Sequence, residues 1–139
     1  MTAMNDFNQA VIDEFRANHG KVGGGFDGVP VILLTTTGAK SGRTKVNPLV
    51  CQPGADGTLY VFASAAGAPR HPAWYHNLVA HPTVTVESGD EVYEAHAVPV
   101  TGAERDRIYA RQVELVPGFG EYEVKAANRT IPVVALSRA

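Results

Sequence analysis

Hydrophobic positions recur along the chain in two rhythms, one helical and one strand-like. From about Asn5 to His19, Phe7 is followed by Val11, Ile12 and Phe15 at offsets of four, five and eight, which is one face of an amphipathic helix. Gly20 ends it. The next stretch, Val22-Gly-Gly-Gly-Phe26, has too few side chains to hold regular structure and reads as a hinge. Residues 1–25 therefore form a helical arm with a Gly-rich hinge, and residues 26–139 a single domain.

From Val29 the rhythm shortens to apolar, β-branched runs separated by turn residues. Val31–Thr36, Thr44–Gln52, Thr58–Ser64, Thr83–Glu87, Glu91–Val98 and Ile131–Leu136 are six candidate strands. Gly54–Gly57 and Ser88–Asp90 are short turns, so each joins its neighbours as an antiparallel hairpin. Helices interrupt this pattern. One opens near His71, with Pro72 at a helix-compatible first position, and stops before Pro82. A second starts at Thr101-Gly-Ala-Glu104, which reads as a capping box, and runs to about Leu115 along Tyr109, Val113 and Val116. A third, from Gly118 to Ala127, has only the partial stripe Phe119, Tyr122 and Ala126. Antiparallel strands with short connections and few helices predict an α+β fold on a small, curved, barrel-like sheet.

Composition narrows the function classes. Hydrophobic residues make up 45% and charged residues 19% of 139, as in a folded globular domain. A net charge of −2 supplies no field for collecting nucleic-acid phosphates, so no nucleic-acid partner is expected. The longest strongly apolar run, Val29–Leu34, is far too short to span a bilayer. One cysteine, Cys51, cannot form an internal disulfide, and the acids of the first helix do not suit a signal peptide; both point to a cytoplasmic setting.

Against that acidic background, Lys40, Arg43 and Lys45 lie within six positions, together with Ser41 and Gly42, in a loop between two candidate strands. Three cations and free backbone N–H groups at one tip make an anion trap; the competing reading is a solvated turn. It is not a P-loop, because Ala39 precedes Lys40 and a strand follows. In Ser64-Ala-Ala-Gly-Ala68 the small residues let a flat molecule approach the backbone, with Trp74 and Tyr75 following on a short helix. Trp74 reads equally as a core anchor. His71, His76 and His81 are spaced by five residues, about 140° around a helix, so no metal site is expected from them. There is no Gly-x-Ser-x-Gly elbow, and Cys51 sits in a strand interior. In Val116–Tyr122, aromatics between glycines can form a flap, and the Tyr122 hydroxyl can donate a proton. Arg129 reads either as an anion ligand or as a partner of one of the acids.

Taken together, Leu33-Leu-Thr-Thr-Thr-Gly-Ala-Lys-Ser-Gly-Arg43, Asn47-Pro-Leu49, Pro72-Ala-Trp-Tyr-His-Asn-Leu78 and Arg129-Thr-Ile-Pro132 resemble the deazaflavin-dependent nitroreductase family of actinobacteria in order and spacing. The resemblance covers about Leu33–Val134. It implies a split β-barrel of the FMN-binding type, with an antiparallel six-stranded barrel and peripheral helices, and coenzyme F-420, an 8-hydroxy-5-deazaflavin, as cofactor. By that pattern Lys40, Ser41, Gly42, Arg43 and Lys45 hold the anionic tail, with Asn47 and Pro48 alongside. Ser64, Ala65, Ala66, Ala73, Trp74 and Asn77 border the ring.

The implied activity is hydride transfer from the reduced coenzyme to a small electron-poor acceptor, a quinone or a nitro compound, with Tyr122 as the candidate catalytic residue. Where the family places several tyrosines, this chain keeps Tyr122 but has Val116 and Phe119, which favours a flat apolar acceptor such as a quinone. Two alternatives stay open: a non-catalytic deazaflavin-binding module, and an FMN-dependent oxidoreductase on the same barrel. So do peripheral membrane contact through the first helix and pairing as a homodimer.

Overall fold

The computed structural model describes residues 3–26 and 28–139. Helix α1 (Ala3–Ala17) is followed by strands β1 (Val31–Thr37), β2 (Thr44–Pro53) and β3 (Leu59–Phe62). Helix α2 (Ala73–Ala80), strands β4 (Thr83–Ser88) and β5 (Glu91–Val100), helices α3 (Gly102–Leu115) and α4 (Gly118–Lys125), and strand β6 (Val133–Arg138) complete the chain. The six strands close into a barrel in the order β1-β2-β3-β6-β5-β4, every neighbouring pair antiparallel. All six expected strands and both expected hairpins are present, within an α+β split barrel. The first candidate strand runs directly into the second as a third hairpin, whose tip is the basic loop.

Alternation within β1 shows how the run Val31–Leu34 is satisfied on both faces. Ile32 and Leu34 point into the barrel with Val61, Val86, Ala95 and Leu136, whereas Val31 and Leu33 point outward and are covered by Ile12 and Phe15 of α1. A strand buried on both faces reads as continuously apolar, as this one does. On the far side, Phe62 and Val133 meet Ile108 and Tyr109 of α3 and Phe119 of α4. Trp74 and Leu78 of α2 join the interior cluster.

The first helix is held more firmly than its hinge-like linker implies. Beyond Val11, Ile12 and Phe15, Arg16 bonds Glu87 at 2.8 Å, His19 meets Asp90 at 2.6 Å, and the Gly23 N–H donates to the Glu14 carboxylate at 2.7 Å. Gly20, at φ +90°, lies so close to the β4–β5 turn that a Cβ there would stand 2.6 Å from Gly89 Cα. Of the apolar stripe, Val11, Ile12 and Phe15 are buried while Phe7 stays half exposed, and no helix among the described residues is long and apolar enough to cross a membrane.

Two local expectations need correction. The Thr101 hydroxyl makes no cap bond, because Gly102 enters the helix at φ +67° and displaces the N–H groups that the hydroxyl would meet. The last strand begins at Val133, not Ile131: Pro132 has no N–H for the ladder, though its carbonyl accepts from Ala63 N–H at 2.9 Å.

Candidate functional site

The β1–β2 loop is pinned by its own backbone, with Gly38 N–H donating to the Arg43 carbonyl at 2.7 Å and Gly42 N–H to the Gly38 carbonyl at 3.0 Å. Gly42 sits at φ +71°, a conformation glycine adopts without strain. Asn77, buried on α2, ties this loop to the barrel. Its Oδ1 accepts from Ala39 N–H at 3.0 Å while its Nδ2 donates to the Thr36 hydroxyl at 3.2 Å.

Between loop and helix lies a cleft of about 780 Å³, lined by Lys40, Ser41, Arg43, Lys45, Ala73 and Asn77, and also by Gly38, Ala39, Thr44 and His76. Lys40, Arg43 and Lys45 are exposed, make no ion pair among the described residues, and converge on this one cleft. Three uncommitted cations around one cleft favour a multiply charged anion over a merely solvated turn.

A second element leads into the same helix. Ala65 and Ala66 have φ of 47° and 53°, left-handed conformations that cost a residue with a Cβ on the order of 1 kcal/mol or more each. Arg129 holds this strained loop by donating to the carbonyls of Ala63 (3.1 Å), Ser64 (2.8 Å) and Ala68 (2.9 Å) and to Nδ1 of His71 (2.8 Å). Arg129 makes no ion pair with an acid among the described residues; four of its donors go to backbone and histidine. Burial, with the nearby charges of Arg129 and His76, lowers the His71 pKa and keeps its ring neutral.

The expected site residues divide accordingly. Lys40, Ser41, Arg43, Lys45, Ala73 and Asn77 line the cleft, and Gly42 shapes the loop without lining it. Asn47 and Pro48 lie half-buried on β2, paired with Leu34 and Leu33, outside the cleft lining. Ser64 is buried with its carbonyl on Arg129, while Ala65 and Ala66 are exposed in the strained turn. Trp74 is 6% exposed and packs in the barrel interior. Tyr122 is half-buried, its ring edge-on to Phe119 at 5.2 Å. Its helix packs over the turn at residues 65–67: a Cβ on Gly67 would stand 3.1 Å from the Tyr122 carbonyl.

His76, which no sequence pattern assigned to the site, is exposed and lines the cleft. His71 precedes α2, so helical rotation does not separate it from His76, and the two ring centroids lie 5.9 Å apart, but no third ligand joins them among the described residues. Cys51 is buried, its thiol pushed up to about 11, so it stays protonated and unreactive at neutral pH.

The family model for F420H(2)-dependent quinone reductase matches residues 8–138. The chain belongs to this family. A protein described as an F420H(2)-dependent quinone reductase from Mycobacterium tuberculosis is 36% identical over 130 residues, 89% of this chain and 85% of that one. Among solved structures, an F420-H2 dependent reductase, FDR-A, superposes with a TM-score of 0.69 at 40% identity, covering 78% of this chain and 94% of its own. A domain-swapped dimer superposes with a TM-score of 0.71 at 35% identity, covering 97% and 100%. The heme storage protein HutZ from Vibrio cholerae, at 16% identity and a TM-score of 0.60 over 92% of this chain and 87% of its own, shares the fold alone. Within this family the cofactor is coenzyme F-420, the chain is an F-420-dependent oxidoreductase, and the FMN alternative is not needed.

Proposed function

We propose that the chain works in the cytoplasm, binds coenzyme F-420 with its anionic tail on the Lys40, Arg43 and Lys45 loop, and reduces a quinone to the hydroquinone. The observation that carries this reading is the set of three unpaired cations around a cleft of about 780 Å³. That cleft and donor set fit a long molecule with a phosphodiester and carboxylates at one end.

The bound coenzyme supplies a hydride, and the protein's own residues supply position and a proton. Ser41, whose hydroxyl accepts from Arg43 N–H at 3.2 Å and keeps its own proton to donate, orients the tail. Ser64, Ala65 and Ala66, clamped by Arg129, give the ring a surface without bulky side chains, and Asn77 fixes the distance between loop and α2. Quinone reduction needs one proton besides the hydride, and Tyr122, on the helix covering the strained turn, is the donor in this reading. Trp74 acts from below, as a core support for α2. A second copy of the chain is the proposed protein partner: a relative at 35% identity forms a domain-swapped dimer, and the Gly-Gly-Gly linker after α1 provides the slack that an exchange of α1 requires.

Titrating the purified protein into oxidised coenzyme F-420 while following the ligand's fluorescence, with FMN as control, tests the assignment. Saturable binding of the deazaflavin, followed by menadione-dependent oxidation of the reduced coenzyme, is expected. Binding of FMN alone would overturn it, and binding without turnover of any quinone would leave a carrier of the coenzyme.

A further inference from the structure

The hollow at the basic loop does not end there. A second one, of about 680 Å³, adjoins it between α1 and the start of β2, with Asp6, Gln9, Asp13, Lys45 and Val46 in its lining. Thr44 and Lys45, both exposed, line the two hollows at once, so Lys45 stands on the ridge between them.

The charge changes sign across that ridge. On the loop side lie Lys40, Arg43 and Lys45, with no acid in the lining. On the α1 side Lys45 is the one cation among the described lining residues, and it shares the hollow with the acids Asp6 and Asp13. Seven residues are just under two helical turns, so these acids lie on one stripe of α1, ~10 Å apart along its axis, with Gln9 between them. The stripe is held in place. Ile12 and Phe15 pack against Val31 and Leu33, and Gln9 Nε2 donates to the Asp13 carboxylate at 2.9 Å. Neither acid makes an ion pair among the described residues, and Arg16, a turn beyond Asp13, is committed to Glu87.

We propose that Asp6 and Asp13 are specificity-determining residues that limit the length of the coenzyme's polyglutamate tail. The inference rests on the coenzyme reading given above. In that reading the ring lies toward Ala73 and Asn77 of α2, and the tail runs from there over Lys40, Arg43 and Lys45. The hollow beyond Lys45 continues that line away from α2, so the first tail carboxylates meet cations and the later ones meet Asp6 and Asp13. Two like charges ~6 Å apart in water repel by enough to weaken binding about threefold, an effect that salt screens. The basic loop alone would instead favour every added carboxylate.

Fluorescence titration of coenzyme carrying two glutamates, and of coenzyme carrying six, reads the effect without turnover. At low salt the long form should bind about threefold more weakly than the short one, or worse, and the gap should close as salt rises. Asp6→Asn with Asp13→Asn should close it at low salt. Both positions are exposed, and asparagine at 13 keeps the oxygen that Gln9 bonds, so the fold is retained. Glu104→Gln with Glu114→Gln, exposed on α3 and outside both hollows, removes the same two charges and should leave the gap as it was. A long form that binds as tightly as the short one, a gap that survives the α1 substitutions, or one that the α3 pair closes equally overturns the proposal while the coenzyme assignment stands. Failure of both forms to bind overturns the two together.

Discussion

The Arg129 guanidinium lies 2.8 Å from Nδ1 of His71, a contact the pair can keep only while the imidazole is neutral. The same guanidinium holds the carbonyls of Ala63, Ser64 and Ala68, so a protonated His71 would repel the group that clamps the left-handed turn at Ala65 and Ala66. The His71 pKa is depressed by burial first and by Arg129 second. As pH falls through the ordinary histidine range near ~6.5, the unfolded chain takes up the proton before the folded one does. Stability is therefore complete above that range and is lost on acidification down to the lower folded-state pKa. Thermal unfolding at pH 7.5 and 5.5 should show a lower midpoint at the acid end, and His71→Asn, which keeps an oxygen acceptor for Arg129, should reduce the difference.

The cations of the loop act by charge, and that has its own signature. Each sheltered charge-assisted bond contributes ~1.5–3 kcal/mol, less where solvent reaches it, as it does at Lys40 and Arg43. Lys40→Ala with Arg43→Ala should raise the coenzyme dissociation constant at least tenfold, leave the unfolding midpoint within a degree or two, and weaken the salt dependence of binding. Isothermal titration at low and high salt reads all but the midpoint, which thermal unfolding gives.

How much of this was legible depended on the range over which each interaction works. The strands, both short hairpins and the basic loop rest on alternation and turn residues within ten positions, and all are present, with the last strand starting two residues later than the sequence places it. Arg129 was misread because its partners lie 58 to 66 positions away and three of them are backbone carbonyls, which no side-chain pattern advertises. Trp74 was ambiguous for a related reason: an aromatic on a short helix looks the same above a pocket or below it, and only barrel closure puts it in the interior. The Gln52–Gln112 network, 60 positions apart, gave no signal at all.

Gly67 is fixed by two constraints at once. Its φ is +83°, and an added Cβ would stand 2.9 Å from the Lys125 Cβ and 3.1 Å from the Tyr122 carbonyl. Backbone strain and the clash with the Lys125 Cβ, with the Tyr122 carbonyl also crowded, should together make Gly67→Ala destabilising by about 1–3 kcal/mol, pushing α4 off the turn. Chemical denaturation measures the cost, and reduced coenzyme affinity in the same variant would tie the turn to the site.

Phe15 tests whether the first helix is part of the folded unit. It is 2% exposed and packs with Ile12 against Val31 and Leu33. If α1 is integral, Phe15→Ala should cost about 3–5 kcal/mol in one cooperative transition. A small loss, or a separate early transition, would show an arm that unfolds independently of the barrel.

Asn77 separates geometry from charge in the coenzyme cleft. Its amide spends both ends on the protein, accepting from Ala39 N–H and donating to the Thr36 hydroxyl, so it positions the loop against α2. Thr36 is buried and would lose its partner in Asn77→Ala, whereas Ala39 is exposed and water can replace the lost bond there. The stability loss should then be about 1–2 kcal/mol. Coenzyme affinity should fall too, because Lys40, Ser41 and Arg43 follow Ala39 directly in the loop. Unlike the Lys40 and Arg43 replacements, this variant keeps every charge, so its salt dependence of binding should match that of the unaltered protein. Asn77→Asp sharpens the distinction. It keeps the acceptor for Ala39, so the loop stays placed, but it adds a negative charge to a cleft built for an anion, and its deficit in affinity relative to the unaltered protein should shrink as salt screens the repulsion. Titration of both variants at two salt concentrations checks the argument, and identical behaviour of the two would refute it.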